Sequence, residues 1–137
     1  MEIAEARKSG NAEMKLIQSE LSEKIIGCCI RVHKLLGPGF LEKVYEEALC
    51  LELADAGLSF ERQKPITIVY RGQTIGEHRL DLLVEAAVVV ELKACRAIED
   101  IHLATTRSYL KATSLQLGLI INFARPTLDI KRVVLTQ

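Results

Sequence analysis

The chain has 137 residues, a length that fits one domain. It is 49% hydrophobic but has no Trp and only three Tyr and three Phe, so aliphatic side chains must build the core. Eighteen basic residues balance eighteen acidic ones, so the total charge announces no nucleic-acid partner. The charge is unevenly placed, however. Residues 1–57 hold 7 bases and 10 acids, a net −3, and residues 58–137 hold 11 bases and 8 acids, a net +3. A basic face on the second half is therefore available to a polyanion.

No stretch reaches the roughly 20 apolar residues needed to span a bilayer. The first twenty residues are too charged for a secretory signal. Cys28, Cys29, Cys50 and Cys95 show no CxxC spacing and read as reduced, mostly buried thiols. A zinc or iron–sulfur site is the alternative that this spacing disfavours. The expectation is a cytoplasmic protein with no membrane partner.

Residues 1–20 read as an N-terminal extension of mixed charge with a break at Ser9-Gly10-Asn11, and residues 21–137 as the domain. Ser22 is the expected N-cap of a first helix, with Glu23 in its first turn. Ile25, Ile26, Cys29, Val32, Leu35 and Leu36 recur at helical spacing until Gly37-Pro38-Gly39. A second helix is predicted from Phe40 to Ala56, with glutamates 42, 46 and 47 in its first two turns and Gly57 as its stop.

The pattern then turns to β. Residues 59–63 and 66–70 read as one strand bent or interrupted at Pro65. Arg71-Gly72 is a turn, residues 74–84 a long strand, Glu85-Ala86-Ala87 a weak turn, and residues 88–93 a strongly β-prone run. A third helix follows over residues 99–112, then strands over 116–122 and 128–135. This order predicts an α/β fold, a central mixed sheet flanked by helices.

Val88-Val89-Val90 suggests a strand buried on both faces. Glu91 and Lys93 follow it directly and share a face by alternation. Such charges at the end of a buried strand are expensive to desolvate unless they are paired or used. Asp81 lies inside the preceding apolar run, and a hairpin centred near residue 86 sets it close to opposite Glu91. One reading is a structural network in which Lys93 neutralises a carboxylate. The other is an active site. Two hard carboxylates on adjacent strands suit Mg²⁺ or Mn²⁺ and phosphodiester hydrolysis, with a lysine beside them to orient water and stabilise the transition state.

Asp81 followed by Glu91-Leu92-Lys93 resembles the Asp…Glu-x-Lys signature of the PD-(D/E)XK superfamily, whose core is restriction-endonuclease-like. Gly39-x-x-Glu42-x-x-Tyr45 matches the motif that names the GxxExxY family. Segments 32–39, 60–63, 76–81, 109–113 and 118–123 also resemble that family, so the likeness spans about residues 21–135. The resemblance implies a nuclease fold, a divalent ion on Asp81 and Glu91, and a helix glutamate joining them. Glu42 is at the matching position, with Glu46 one turn on as the substitute. Leu80 stands where the superfamily's nominal proline would be, and Thr105 where related nucleases carry the Gln of Gln-x-x-x-Tyr, although Tyr109 is present.

Arg79 and Tyr109 are the candidate substrate-binding residues. His33 and His102 read as structural, and Tyr45 as either a neighbour of the site or a core tyrosine. The leading function is a divalent-metal-dependent nuclease with DNA as partner. The alternative is a nuclease-fold module that binds nucleic acid or a protein without cutting. The small size leaves room for a homodimer with two sites and a wider binding face.

Overall fold

A computed structural model describes the backbone of residues 6–136 and the side-chain surroundings of residues 18–136. Helix α1 spans Ala6–Leu36 and α2 spans Glu42–Asp55. Strands β1 (Phe60–Tyr70), β2 (Gln73–Val84) and β3 (Val88–Lys93) follow, then α3 (Asp100–Thr113), β4 (Leu117–Asn122) and β5 (Asp129–Val134). The sheet has the order β1-β2-β3-β4-β5. Among the described residues only the β3–β4 pair is parallel, joined through α3, and the others are antiparallel. The expected mixed sheet with flanking helices is the fold observed.

The helices divide between the two faces of the sheet. Ile25, Val32, Tyr45, Leu49 and Leu53 from α1 and α2 pack on Leu82, Val84, Val88, Val90 and Leu92. Leu110 from α3 packs on Leu83, Val89 and Ile120 on the other face. The three valines of β3 are thus buried on both sides, as their unbroken apolar run predicts. Gly118 lets α3 come close, since a Cβ there would fall 2.8 Å from Thr106 Cγ2.

Two details differ from the sequence expectations. Helix α1 does not start at Ser22 but runs through it, and through the expected break at Ser9-Gly10-Asn11. Ser22 Oγ donates back to Ser19 O at 3.1 Å and accepts from Arg132 Nη1 at 2.8 Å, so it serves as a helix-internal serine rather than a cap. Residues 1–5 of the expected extension lie outside the described residues. Pro65 does not interrupt β1. It pairs with Arg79 on an edge strand, where a missing N–H is tolerated. The ladder's register shift falls later, between Ile68 and Val69, and Gln63, two residues before the proline, takes φ +48°.

Turns set the strand registers. Arg71 and Gly72 both take positive φ, the conformation of a two-residue hairpin turn that matches strand twist. Glu85 and Ala86 do the same at the β2–β3 turn. That turn is held by Glu85 Oε2, which accepts from Ser59 N–H at 2.7 Å and from its hydroxyl at 3.0 Å.

Candidate active site

The β2–β3 ladder pairs Val84 with Val88, Leu83 with Val89 and Leu82 with Val90, and then stops. One step further, side chains replace the backbone partners. The Asp81 N–H donates to Glu91 Oε2 at 3.1 Å, and the Leu92 N–H donates to Asp81 Oδ2 at 2.8 Å. The strands splay here, and the two carboxylates fill the opening. Each commits one oxygen to the other strand's backbone, which fixes where both groups stand.

This placement is electrostatically costly. Burial, and then the charge of Asp81, push Glu91 up to about 8. Burial also raises Asp81, with Glu46 and Glu42 adding to it, while the Leu92 N–H and the Gln63 amide oppose the shift. The two carboxylates titrate as a coupled pair, and ionising the second meets the charge of the first.

Lys93 ends β3 and is half-buried. Its field favours the ionised form of Glu91, but among the described residues it closes no ion pair within 4.0 Å of any carboxylate. The neutralising pair of the purely structural reading is therefore not formed. The backbone around Lys93 is held firmly. Its carbonyl accepts from the Phe123 N–H at 3.0 Å. Its β4 partner, the fully buried Asn122, accepts from the Cys95 and Ala124 N–H groups and donates to Cys95 O at 2.9 Å.

The Gly39-x-x-Glu42-x-x-Tyr45 motif has a physical basis. Gly39 takes φ +116°, which only glycine adopts readily. The Tyr45 hydroxyl donates to Gly37 O at 2.6 Å and accepts from the Phe40 N–H at 3.2 Å. Its ring stacks on Phe123 at 4.5 Å and 7°. Tyr45 is thus a fully buried core residue that fixes the loop entering α2. That loop brings Glu42, in the first turn of α2, to the wall of a cleft of about 530 Å³ shared with Glu46, Gln63 and Asp81. Glu42 is exposed, and its charge reaches both Asp81 and Glu91. Glu46, in contrast, is buried and already engaged. It accepts from Arg62 Nε at 3.1 Å and from the Gln63 amide at 2.9 Å.

The other expected residues divide clearly. The Tyr109 hydroxyl lies 3.4 Å from His78 Nδ1, and it is raised by burial, then by Glu91 and Asp81, which sets it beside the carboxylates. Arg79 is exposed, donates through Nη1 to Gln63 O at 3.2 Å, and is not part of the cleft wall. Thr105 lies on α3 one turn before Tyr109. His33 Nε2 meets Arg125 O at 2.9 Å, and His102 Nδ1 accepts from the Glu99 N–H in a capping box, so both are structural. The four cysteines are free thiols, three of them buried. Gln63, Arg62 and Asn122 were not singled out individually by sequence reasoning. The detectable signal was a polar side chain inside an otherwise apolar strand, plain at Asn122 and weak at the other two.

A five-stranded mixed sheet with two helices on one face, one on the other, and carboxylates at a splayed central strand pair defines a restriction-endonuclease-like domain. A sequence model of the PD-(D/E)XK nuclease superfamily matches residues 19–133, and the chain belongs to that superfamily. The crystal structure of SSO0001 shares the fold, with a TM-score of 0.54 at 17% identity over 85% of this chain. The match spans 58% of the SSO0001 chain. No curated protein matches.

Members of such a superfamily imply a divalent ion, and the donor chemistry here fits one. Asp81 and Glu91 offer hard oxygens beside each other, desolvated and without a closed counter-ion. Among the described residues no three His, Cys, Asp or Glu side chains gather closely enough to cage an ion. Mg²⁺ does not require that, since one or two carboxylates with waters and a phosphate suffice. No helix among the described residues is long and apolar enough to cross a membrane.

Proposed function

We propose that the chain is a divalent-metal-dependent phosphodiesterase acting on nucleic acid, with DNA as substrate, and that it belongs to the GxxExxY group within its superfamily. The observation that carries this reading is the carboxylate pair at the splay of β2 and β3. Asp81 and Glu91 are held by each other's strand, repel one another, and are not neutralised by the lysine two residues on. A fold evolved only for stability would gain by closing that ion pair or removing the charges.

In this reading Asp81 and Glu91 would hold Mg²⁺ or Mn²⁺, with Glu42 joining the metal site from the cleft wall. When bound, the ion supplies Lewis-acid stabilisation of the phosphate and a more acidic water. The chain's own groups do the rest. Lys93 places its ammonium beside the scissile phosphate, orients the attacking water and offsets charge in the transition state. Arg79 anchors one nitrogen on Gln63 O and offers its remaining donors to a backbone phosphate. Tyr109 offers its hydroxyl from the α3 side. The +3 balance of residues 58–137 favours a polyanion.

A second reading keeps the fold and drops the chemistry. It is favoured by Thr105, too short to make a glutamine's amide contacts. The deciding experiment is cleavage of single-stranded, double-stranded and branched DNA and RNA with Mg²⁺ or Mn²⁺, beside Asp81→Ala. Cleavage that needs the ion and disappears in Asp81→Ala is expected. Inertness of both wild type and Thr105→Gln across the panel would leave the binding module.

A further inference from the structure

The β1–β2 ribbon changes face near Gln63. On β1, Phe60 packs toward α1 and α2 and Arg62 bonds to α2 carboxylates, whereas Ile66 and Ile68 join the α3 side. On β2, Leu82 and Val84 lie against α1 and α2, whereas Leu80 lies on the α3 side and His78 packs on Tyr109 of α3. Even-numbered residues swap faces in both strands, although alternation would keep them together. The swap falls between the Arg62–Leu82 and Lys64–Leu80 pairs, across Gln63 and Asp81, which the ladder skips.

Gln63 sits at this crossing with φ +48°, a left-handed conformation that costs a non-glycine residue on the order of 1 kcal/mol or more. Such strain persists where the surroundings over-determine it, and here they do. The Gln63 carbonyl accepts from Arg79 Nη1 at 3.2 Å. Its amide donates to the buried Glu46, which Arg62 grips from the other side. Gln63, Glu46 and Asp81 line the same cleft.

We propose that Gln63 is a positioning residue for Asp81: its left-handed backbone turns the ribbon over at the aspartate, and its amide, tied to Glu46, fixes where the Asp81 carboxylate stands in the cleft. The consequence for ion binding rests on the phosphodiesterase reading, while the placement of Asp81 does not.

Two variants separate backbone from amide. Gln63→Val opposes a positive φ, whereas Gln63→Gly accepts it and removes only the amide. Hydrogen exchange of the Leu92 N–H in the metal-free protein reports on the Asp81 Oδ2 contact, and calorimetry with Mn²⁺ reports on the site. Gln63→Val is expected to lower Leu92 protection about tenfold or more, with Val90 protection unchanged, and to weaken Mn²⁺ binding by a similar factor. Gln63→Gly should fold as wild type and weaken Mn²⁺ binding about threefold or more, less than Gln63→Val does. Added to Asp81→Ala, neither change should weaken Mn²⁺ further, because Gln63 acts through Asp81.

Wild-type Leu92 protection in Gln63→Val, or additive losses in the double variants, would overturn the proposal. If Gln63→Val does not fold, wild-type Mn²⁺ affinity in Gln63→Gly overturns it instead. Impaired Asp81→Ala beside unaffected Gln63 variants ends the positioning role alone. Wild-type Mn²⁺ affinity in Asp81→Ala, with Leu92 protection lost in Gln63→Val, ends the metal reading and keeps the positioning role.

Discussion

Lys93→Met is expected to cut nucleic acid about a hundredfold more slowly, or worse, as for loss of a preorganised charge stabiliser. The same variant should bind Mn²⁺ as tightly as wild type or more tightly, because methionine keeps a similar stem and removes a nearby positive charge. The two readouts move apart only if Lys93 acts on the reacting phosphate and water. The structure supports that separation, since Lys93 closes no ion pair within 4.0 Å among the described residues and touches Glu91 only through its field. Single-turnover cleavage and calorimetry on the same preparation check it. Equal cleavage by wild type and Lys93→Met would return the lysine to a structural counter-ion.

The second large effect is on stability against pH. Glu91 sits at about 8 in the folded protein and near 4.3 when unfolded. The folded state therefore holds the Glu91 proton more tightly. The stabilisation from this group is complete below the unfolded value and is lost as pH rises through the folded one. Asp81, also raised, acts in the same direction. Between pH 5 and pH 9 the metal-free wild type should lose on the order of 3–5 kcal/mol relative to Glu91→Gln, which cannot ionise there. Urea unfolding in the presence of a chelator measures this. Mn²⁺ should reverse the loss, with affinity that rises toward pH 8 as the ion displaces the proton. Parallel pH profiles for wild type and Glu91→Gln would show that Glu91 is not held in this costly environment.

Much of this was legible in the sequence because short-range rules governed it. The apolar run before Glu91 marked a central strand. A turn centred near residue 86 set the β2–β3 register, and that register brought Asp81 to Glu91. Glycines at 37, 39 and 57 bounded the second helix. Other features depended on distant partners. Ser22 has the chemistry of a cap, but Arg132, 110 residues away, occupies its hydroxyl inside a continuous helix. Pro65 is a strand breaker by its ring, yet an edge strand had no need of its N–H. The bend at Gln63 carries no glycine or proline to announce it, since tertiary contacts through Glu46 and Arg79 impose it.

Glu42 shows the same division. Its place in the first turn of α2 followed from the motif, and the Tyr45 anchor explains why that turn is fixed. Its distance from the carboxylate pair depends on how α2 packs across β3, which no local pattern encodes. It therefore stands on the cleft wall without completing a cage of three.

The central claim is that Asp81 and Glu91 together hold a divalent ion. Calorimetric titration of Mn²⁺ into wild type, Asp81→Ala and Glu91→Ala tests it most directly. Each substitution removes one charged oxygen ligand, so each should weaken Mn²⁺ at least about tenfold, with Glu42→Ala losing less. Mn²⁺ affinity unchanged from wild type in both Asp81→Ala and Glu91→Ala would contradict it.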